Sequence, residues 1–234
     1  ASGRVDIVNV DFGEAATATA NTPDGLDTDA DTDAALDIDE ALVLHVLRVR
    51  GFVTADGFAA SLGTVPRDFL DALVERGDVR YMEARDMWGP TPAGKERAAE
   101  LLTDTLPGDA AARLAEPYRN FLELNDRFKQ LCTDWQIRDG EPNDHTDGDY
   151  DAQCVSSLAA LAGESTATID ELAAALPRLG RYRSRLDAAA AAVAAGETKQ
   201  FTGVMCESFH DIWMELHEDL IVLQGIDRTA EGSF

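Results

Sequence analysis

The chain has 234 residues, 45% of them hydrophobic, which is enough apolar material for a true core and room for one large or two small domains. Its 44 acidic residues against 20 basic ones give a net charge of −24, with about −7 in residues 1–36, about −5 in 37–104 and about −12 in 105–234. No segment is basic, so a strong DNA or RNA binder is disfavoured, because that affinity rests largely on Lys and Arg neutralising phosphates.

No apolar run of about 18 residues occurs, so no helical membrane span is expected. The first residues, from Ala1 to Asp6, lack the basic-then-apolar pattern of a secretory leader. Cys132, Cys154 and Cys206 are widely spaced, without zinc spacing, and a disulfide framework is not expected. These features place the chain in the cytoplasm with reduced, mostly buried thiols.

Residues 5–12 alternate well enough for one short strand, and residues 15–36 are Ala, Thr and Asp with almost nothing large to bury, an acidic disordered linker. Asp27, Asp29 and Asp31 match the first ligands of a calcium loop, but Thr32 stands at the turn glycine and Ile38 at the closing glutamate, so the loop reading fails. Asp37 with Glu40 has capping-box spacing for a first helix through Val49, ended by Gly51. Thr54 starts a second, short helix closed by Gly63. Thr64 caps a third, with Phe69, Leu70, Leu73 and Val74 inward and Gly77 as the stop. Val79 to Glu83 and a strand closing at Trp88 form a hairpin about Ala84 to Asp86. Thr91 then caps a helix with Pro92 in its first turn, where the missing N–H costs nothing.

Helix, helix, tight turn, helix, two-stranded wing, helix is the order of a winged helix-turn-helix domain, here residues 37–106. Leu106 to Gly108 separates it from a helical region, residues 107–228, before a tail at 229–234. A long helix is predicted over about 110–138, kinked or restarted at Pro117. Helices near 151–163 and 168–176 follow, the second with Thr168 and Glu171 in capping-box spacing, then one over 178–195 and a last over 199–224. The fold class is therefore mainly α with a small β-wing: a winged helix-turn-helix domain plus a C-terminal antiparallel helical bundle.

Four arginines are the candidate nucleic-acid contacts: Arg67 and Arg76 on the third helix, Arg80 and Arg85 on the wing. Asp68, Asp71 and Glu75 share the exposed face of that helix, and it carries no Asn, Gln or Lys, so base and phosphate reading is poor. A charged, solvated interaction face is favoured. In the last helix, Glu207 and His210 form one Glu-x-x-His pair without the second copy that a di-iron bundle needs, so no metal ligand is assigned. His210 and His217 are read as a surface or pocket-lining pair, with the core face at Phe201, Met205, Phe209, Ile212, Leu216 and Leu223. The polar loop 139–150 also fails the calcium test; Trp135, Gln136, Asn143 and His145 are candidates to line a pocket at the bundle end. No nucleophile elbow, phosphate-binding glycine loop or dinucleotide fingerprint occurs, so independent catalysis and a cofactor are not expected.

The block from Leu42 to Leu102, above all the run Trp-Gly-Pro-Thr-Pro-Ala-Gly-Lys from Trp88 to Lys95, resembles the winged helices of MarR- and PadR-like bacterial regulators, which implies a transcription-regulator-like role. The acidic third helix departs from that pattern. A second resemblance rests on residues 121–125, 131–136, 142–145 and 215–219. With the winged helix, these are similar to a region of actinobacterial proteins, some of them phosphoenolpyruvate-utilising and pyruvate phosphate dikinase-like. The catalytic domains of that family are absent from this sequence, so the resemblance implies an accessory or regulatory module whose catalysis lies on another chain. Either way, a protein partner or self-association is expected, with DNA possible but disfavoured by charge.

Overall fold

Two apolar cores organise the computed structural model, which describes residues 39–226. The predicted strand at 5–12, the acidic linker with its rejected calcium loop, Asp37 and the tail at 229–234 lie outside the described residues.

The first core gathers α1 (Glu40–Arg50), α2 (Ala55–Leu62), α3 (Arg67–Glu75), the hairpin β1 (Val79–Met82) and β2 (Met87–Pro90), and α4 (Pro92–Thr105). α1 begins on Asp39, whose carboxylate accepts from the Leu42 amide, two residues later than the Asp37 cap expected; Gly51 closes it at φ +79°. Thr54 caps α2 as expected. The α3 cap differs: Pro66, not Thr64, precedes the helix, and no side chain caps it. β1 and β2 pair antiparallel with Tyr81 opposite Trp88, and Val53, between α1 and α2, bridges to Trp88 from the other side. Trp88 is thereby buried, against Phe58 and Tyr81.

The Thr91 hydroxyl accepts from the Gly94 amide and donates to the Gly77 carbonyl at 2.6 Å, so α4 starts directly on the base of the hairpin. The approach is close enough that a Cβ on Gly94 would sit 1.9 Å from the Asp78 carbonyl oxygen. Only glycine fits there.

α5 (Ala110–Gln136), α6 (Gly148–Ala175), α7 (Arg181–Ala194) and α9 (Phe209–Gln224) enclose the second core, with a short antiparallel pair β3 (Ile137–Arg138) and β4 (Glu141–Pro142) between α5 and α6. α5 runs through Pro117 without restarting; Pro117 is buried and removes one ladder bond from an otherwise complete helix. The two helices expected at 151–163 and 168–176 are one. Thr168 is a buried mid-helix residue rather than a cap, because packing against α5 and α7 overrides the weak helix formers around Gly163. A 3₁₀ turn, Pro177–Gly180, leads into α7.

The expected last helix is broken. α8 (Lys199–Thr202) is a single turn, residues 203–208 are extended or left-handed, and α9 starts afresh on Ser208, whose hydroxyl accepts from the Asp211 amide. Among the described residues, no helix is long and apolar enough to cross a membrane.

Candidate functional site

The two cores meet along a line of charge. α1 presents His45 and Arg50; the 3₁₀ turn and α7 present Arg178, Arg181, Tyr182 and Arg185; the opposing surface presents Glu207, Glu215 and Asp219. Asp219 is 0% exposed and is reached from three elements. His45 Nε2 lies 2.6 Å from Oδ1, Arg178 donates to Oδ1 at 3.1 Å, and Oδ2 accepts from Arg181 at 3.0 Å and from the Tyr182 hydroxyl at 2.9 Å. The same Nε2 lies 2.9 Å from Arg178, so one ring nitrogen of His45 faces both the carboxylate and a guanidinium. One turn earlier, Glu215 takes a two-pronged contact from Arg185, at 3.1 and 2.6 Å. Glu207 joins Arg185 to Arg50, which also donates to the Ser61 hydroxyl at 2.7 Å and the Gly57 carbonyl at 3.1 Å.

Burial by itself pushes the Asp219 carboxyl up, but Arg178, His45 and Arg181 outweigh it and hold it well below the usual carboxylate range. Burial drives His45 the other way, below 6.5; Arg178 and Arg181 add to that fall and Asp219 opposes it. The arrangement at neutral pH is thus a buried carboxylate and neutral imidazole with two guanidinium ions, of which Arg181 is buried and Arg178 partly so. Burial also raises the Tyr182 hydroxyl well above its ordinary value, keeping it a donor. A carboxylate satisfied on both oxygens by positioned donors is a structural clasp; it holds no nucleophile and leaves no face for substrate.

Beside this clasp a cleft of about 700 Å³ opens between α1, α2 and β2 on one side and the 203–208 segment and α9 on the other. Arg50, Glu207 and Glu215 form its floor, and Phe52, Met87, Met205 and Met214 line its walls. Met205 was expected in the core. It is 72% exposed, because the break after α8 turns it outward at φ +56°.

The four arginines named from sequence sit on the α3–hairpin surface and are exposed. Arg67 lies over the rings of Tyr81 and Trp88 and pairs with Asp71 at 2.9 Å. Arg76 is clasped by Glu40 at 2.9 Å and Asp78 at 2.7 Å, and Arg80 covers Phe52. Arg85 is exposed on the 3₁₀ turn of the hairpin.

The six candidate pocket residues fall into separate places. Trp135, Asn143 and His145 do converge: the Asn143 amide donates to the Trp135 carbonyl at 3.1 Å, and the His145 ring lies 4.5 Å from that of Trp135. Gln136 contributes its backbone carbonyl, which accepts from the Asn143 amide at 2.8 Å. Asp151, not anticipated, ties the loop down through Asn143 and His145 at 3.1 Å each. This is a pinned turn. His210 packs on Phe128 instead, and His217, expected at a surface or pocket, is buried against Phe121 and Tyr118. Glu207 precedes α9 at φ +57°, so it does not form a helical pair with His210. Among the described residues, no group of three or more His, Cys, Asp or Glu is placed to hold a metal ion.

Sequence reasoning missed the clasp. Its signals were a histidine inside the apolar run Leu42–Leu47, arginines at 178, 181 and 185, and acids at 215 and 219, each set on one helical face. Comparison of the chain with protein-family models, with curated proteins and with solved structures found no match.

Proposed function

We propose that the chain is a non-catalytic winged-helix regulatory or interaction protein, transcription-regulator-like in scaffold, whose exposed third-helix and wing surface meets a protein rather than a nucleic acid. Support for the scaffold comes from the order α1, α2, α3, hairpin, α4, with the Val53–Trp88 bridge adding a third strand position beside the hairpin. The observation that carries the choice of partner is the state of the arginines. Arg67 and Arg76 already hold carboxylates of this chain, and Arg67 and Arg80 are spread over aromatic rings. A phosphate would have to displace those acids against a net charge of −24.

The accessory-module alternative draws on the second resemblance. Residues that carry it have packing roles here: Asn125 accepts from the Trp213 indole at 3.0 Å, and Glu215 and Asp219 build the clasp. They therefore describe a scaffold and are compatible with either role.

A pull-down from native extract, with DNA and protein both recovered, tests the reading. The expected result is a stoichiometric protein partner at physiological salt and no enriched DNA. DNA of one sequence, retained in a salt-sensitive manner and lost from an R67A/R85A variant, would overturn the choice of partner.

A further inference from the structure

We propose that the cleft between the two cores is a binding site for a small amphiphilic organic cation. The proposal goes beyond the regulatory reading and stands on the cleft alone. At about 700 Å³ the cleft falls inside the range of roughly 300–1,000 Å³ typical of small-molecule sites.

Part of its wall is apolar and soft. Three of the four methionines of the chain, Met87, Met205 and Met214, line it, together with Phe52 and Cys206. Methionine is polarisable and adaptable, and it recurs at surfaces that accept varied apolar shapes. Two of these groups are held in water: Met205 is 72% and Phe52 41% exposed. Neither position is accidental looseness. Met205 and Glu207 both occupy left-handed backbone; the Gly203 amide donates to the Lys199 carbonyl at 2.9 Å, and the two residues after Met205 are fastened as well. Glu207 is gripped by Arg50 and Arg185, and Asp211 accepts from the Cys206 amide at 2.9 Å. A strained, well-tied segment that presents an apolar side chain to solvent is characteristic of a ligand rim.

The sign of the charge selects the ligand. Among the described residues, the acids Asp56, Glu207, Asp211 and Glu215 line the cleft beside one guanidinium, that of Arg50. Arg185 approaches Glu207 and Glu215 from behind and still leaves the acids in excess. An organic cation therefore gains both charge and contact with the methionine-lined part of the wall, whereas an anion of the same size is repelled.

Berberine, a planar monocation whose emission rises in apolar surroundings, is the probe, with anilinonaphthalenesulfonate as an anion of similar size. Titration of the full chain is expected to give one berberine site and no anion binding that competes with it. Berberine should slow alkylation of Cys206 severalfold. Asp56→Lys, at an exposed position, should weaken binding by about tenfold or more, an effect that added salt reduces. Equal binding of the two dyes, or berberine binding that leaves Cys206 labelling and the D56K variant unchanged, would overturn the assignment. Displacement of berberine by an arginine-rich peptide at concentrations below berberine's own dissociation constant would overturn it too, giving the cleft to a polypeptide.

Discussion

Replacing Asp219 by asparagine keeps the shape of the side chain and removes its charge. Four donors now converge on that carboxylate, at 2.6 Å from His45, 3.1 Å from Arg178, 3.0 Å from Arg181 and 2.9 Å from Tyr182. The amide retains one acceptor oxygen and turns an N–H₂ toward either His45 and Arg178 or Arg181 and Tyr182. Arg181 would keep the Tyr182 hydroxyl at 2.8 Å but, as a charge partner, only Glu215, 3.9 Å away. Removing one partner from a buried ion pair costs about 3–5 kcal/mol, because the remaining charge stays out of water. For a domain of this size each kcal/mol moves the melting point by about 2–4 °C, so a fall of about 6–20 °C is expected. Far-UV circular dichroism reads the melt, and urea titration followed by tryptophan emission reads the free energy, with Trp88 in the first core and Trp213 in the second. Asp187→Asn is the control: its bond to Arg183 lies at the surface, and the change should stay within about 0.5 kcal/mol. A loss below about 1 kcal/mol for D219N would mean that the clasp only balances its own desolvation and that apolar contact alone joins the cores.

His45 supplies a pH dependence. Its folded pKa is lowered, chiefly by burial, so below about 6.5 the unfolded chain takes up a proton that the folded chain refuses; this stability is complete above that pH and drains away as pH falls. His45→Gln keeps an N–H donor without the titration, so its stability should fall less steeply than the parent's from about pH 7 to 5, and equal slopes would count against the buried neutral imidazole. Gly94→Ala should destabilise by about 2 kcal/mol or more in denaturant titration, since overpacking against the Asp78 carbonyl exceeds the gain of about 1 kcal/mol in helix propensity; a stabilised variant would show that α4 can slide on the hairpin. Burial pushes the Cys132 thiol up to about 12 and raises Cys154 as well, so iodoacetamide at mildly alkaline pH should label Cys206 first in the native chain and all three thiols in urea. Labelling of Cys132 as fast as Cys206, read by peptide mass, would contradict that burial.

Elements whose causes lie within a few residues were legible from the chain. Thr54 and Thr91 cap helices through amides three positions on, Gly51 and Gly77 stop them at positive φ, and the hairpin pairs residues separated by a 3₁₀ turn. Each is local chemistry, complete in the sequence window that carries it. Failures came where packing overruled the window. α6 runs on past Gly163, Ser165 and Thr166 because its buried stripe packs against α5 and α7, while the helix expected from Lys199 breaks at Gly203, despite continuous periodicity, where Ser208 and the Glu207 ion pairs claim the backbone.

The clasp marks the limit most clearly. Local pattern established that His45 sits in an apolar run and that acids and arginines share helical faces, and on that basis each reads as a solvated charge or an imperfect core position. Only the tertiary structure decides otherwise. His45 meets Asp219 across 174 residues and Arg178 across 133, and burying any one of them is tolerable only because the others arrive at the same point. Each residue's chemistry sets what full burial would cost, but the depth of burial and what offsets it both belong to the fold.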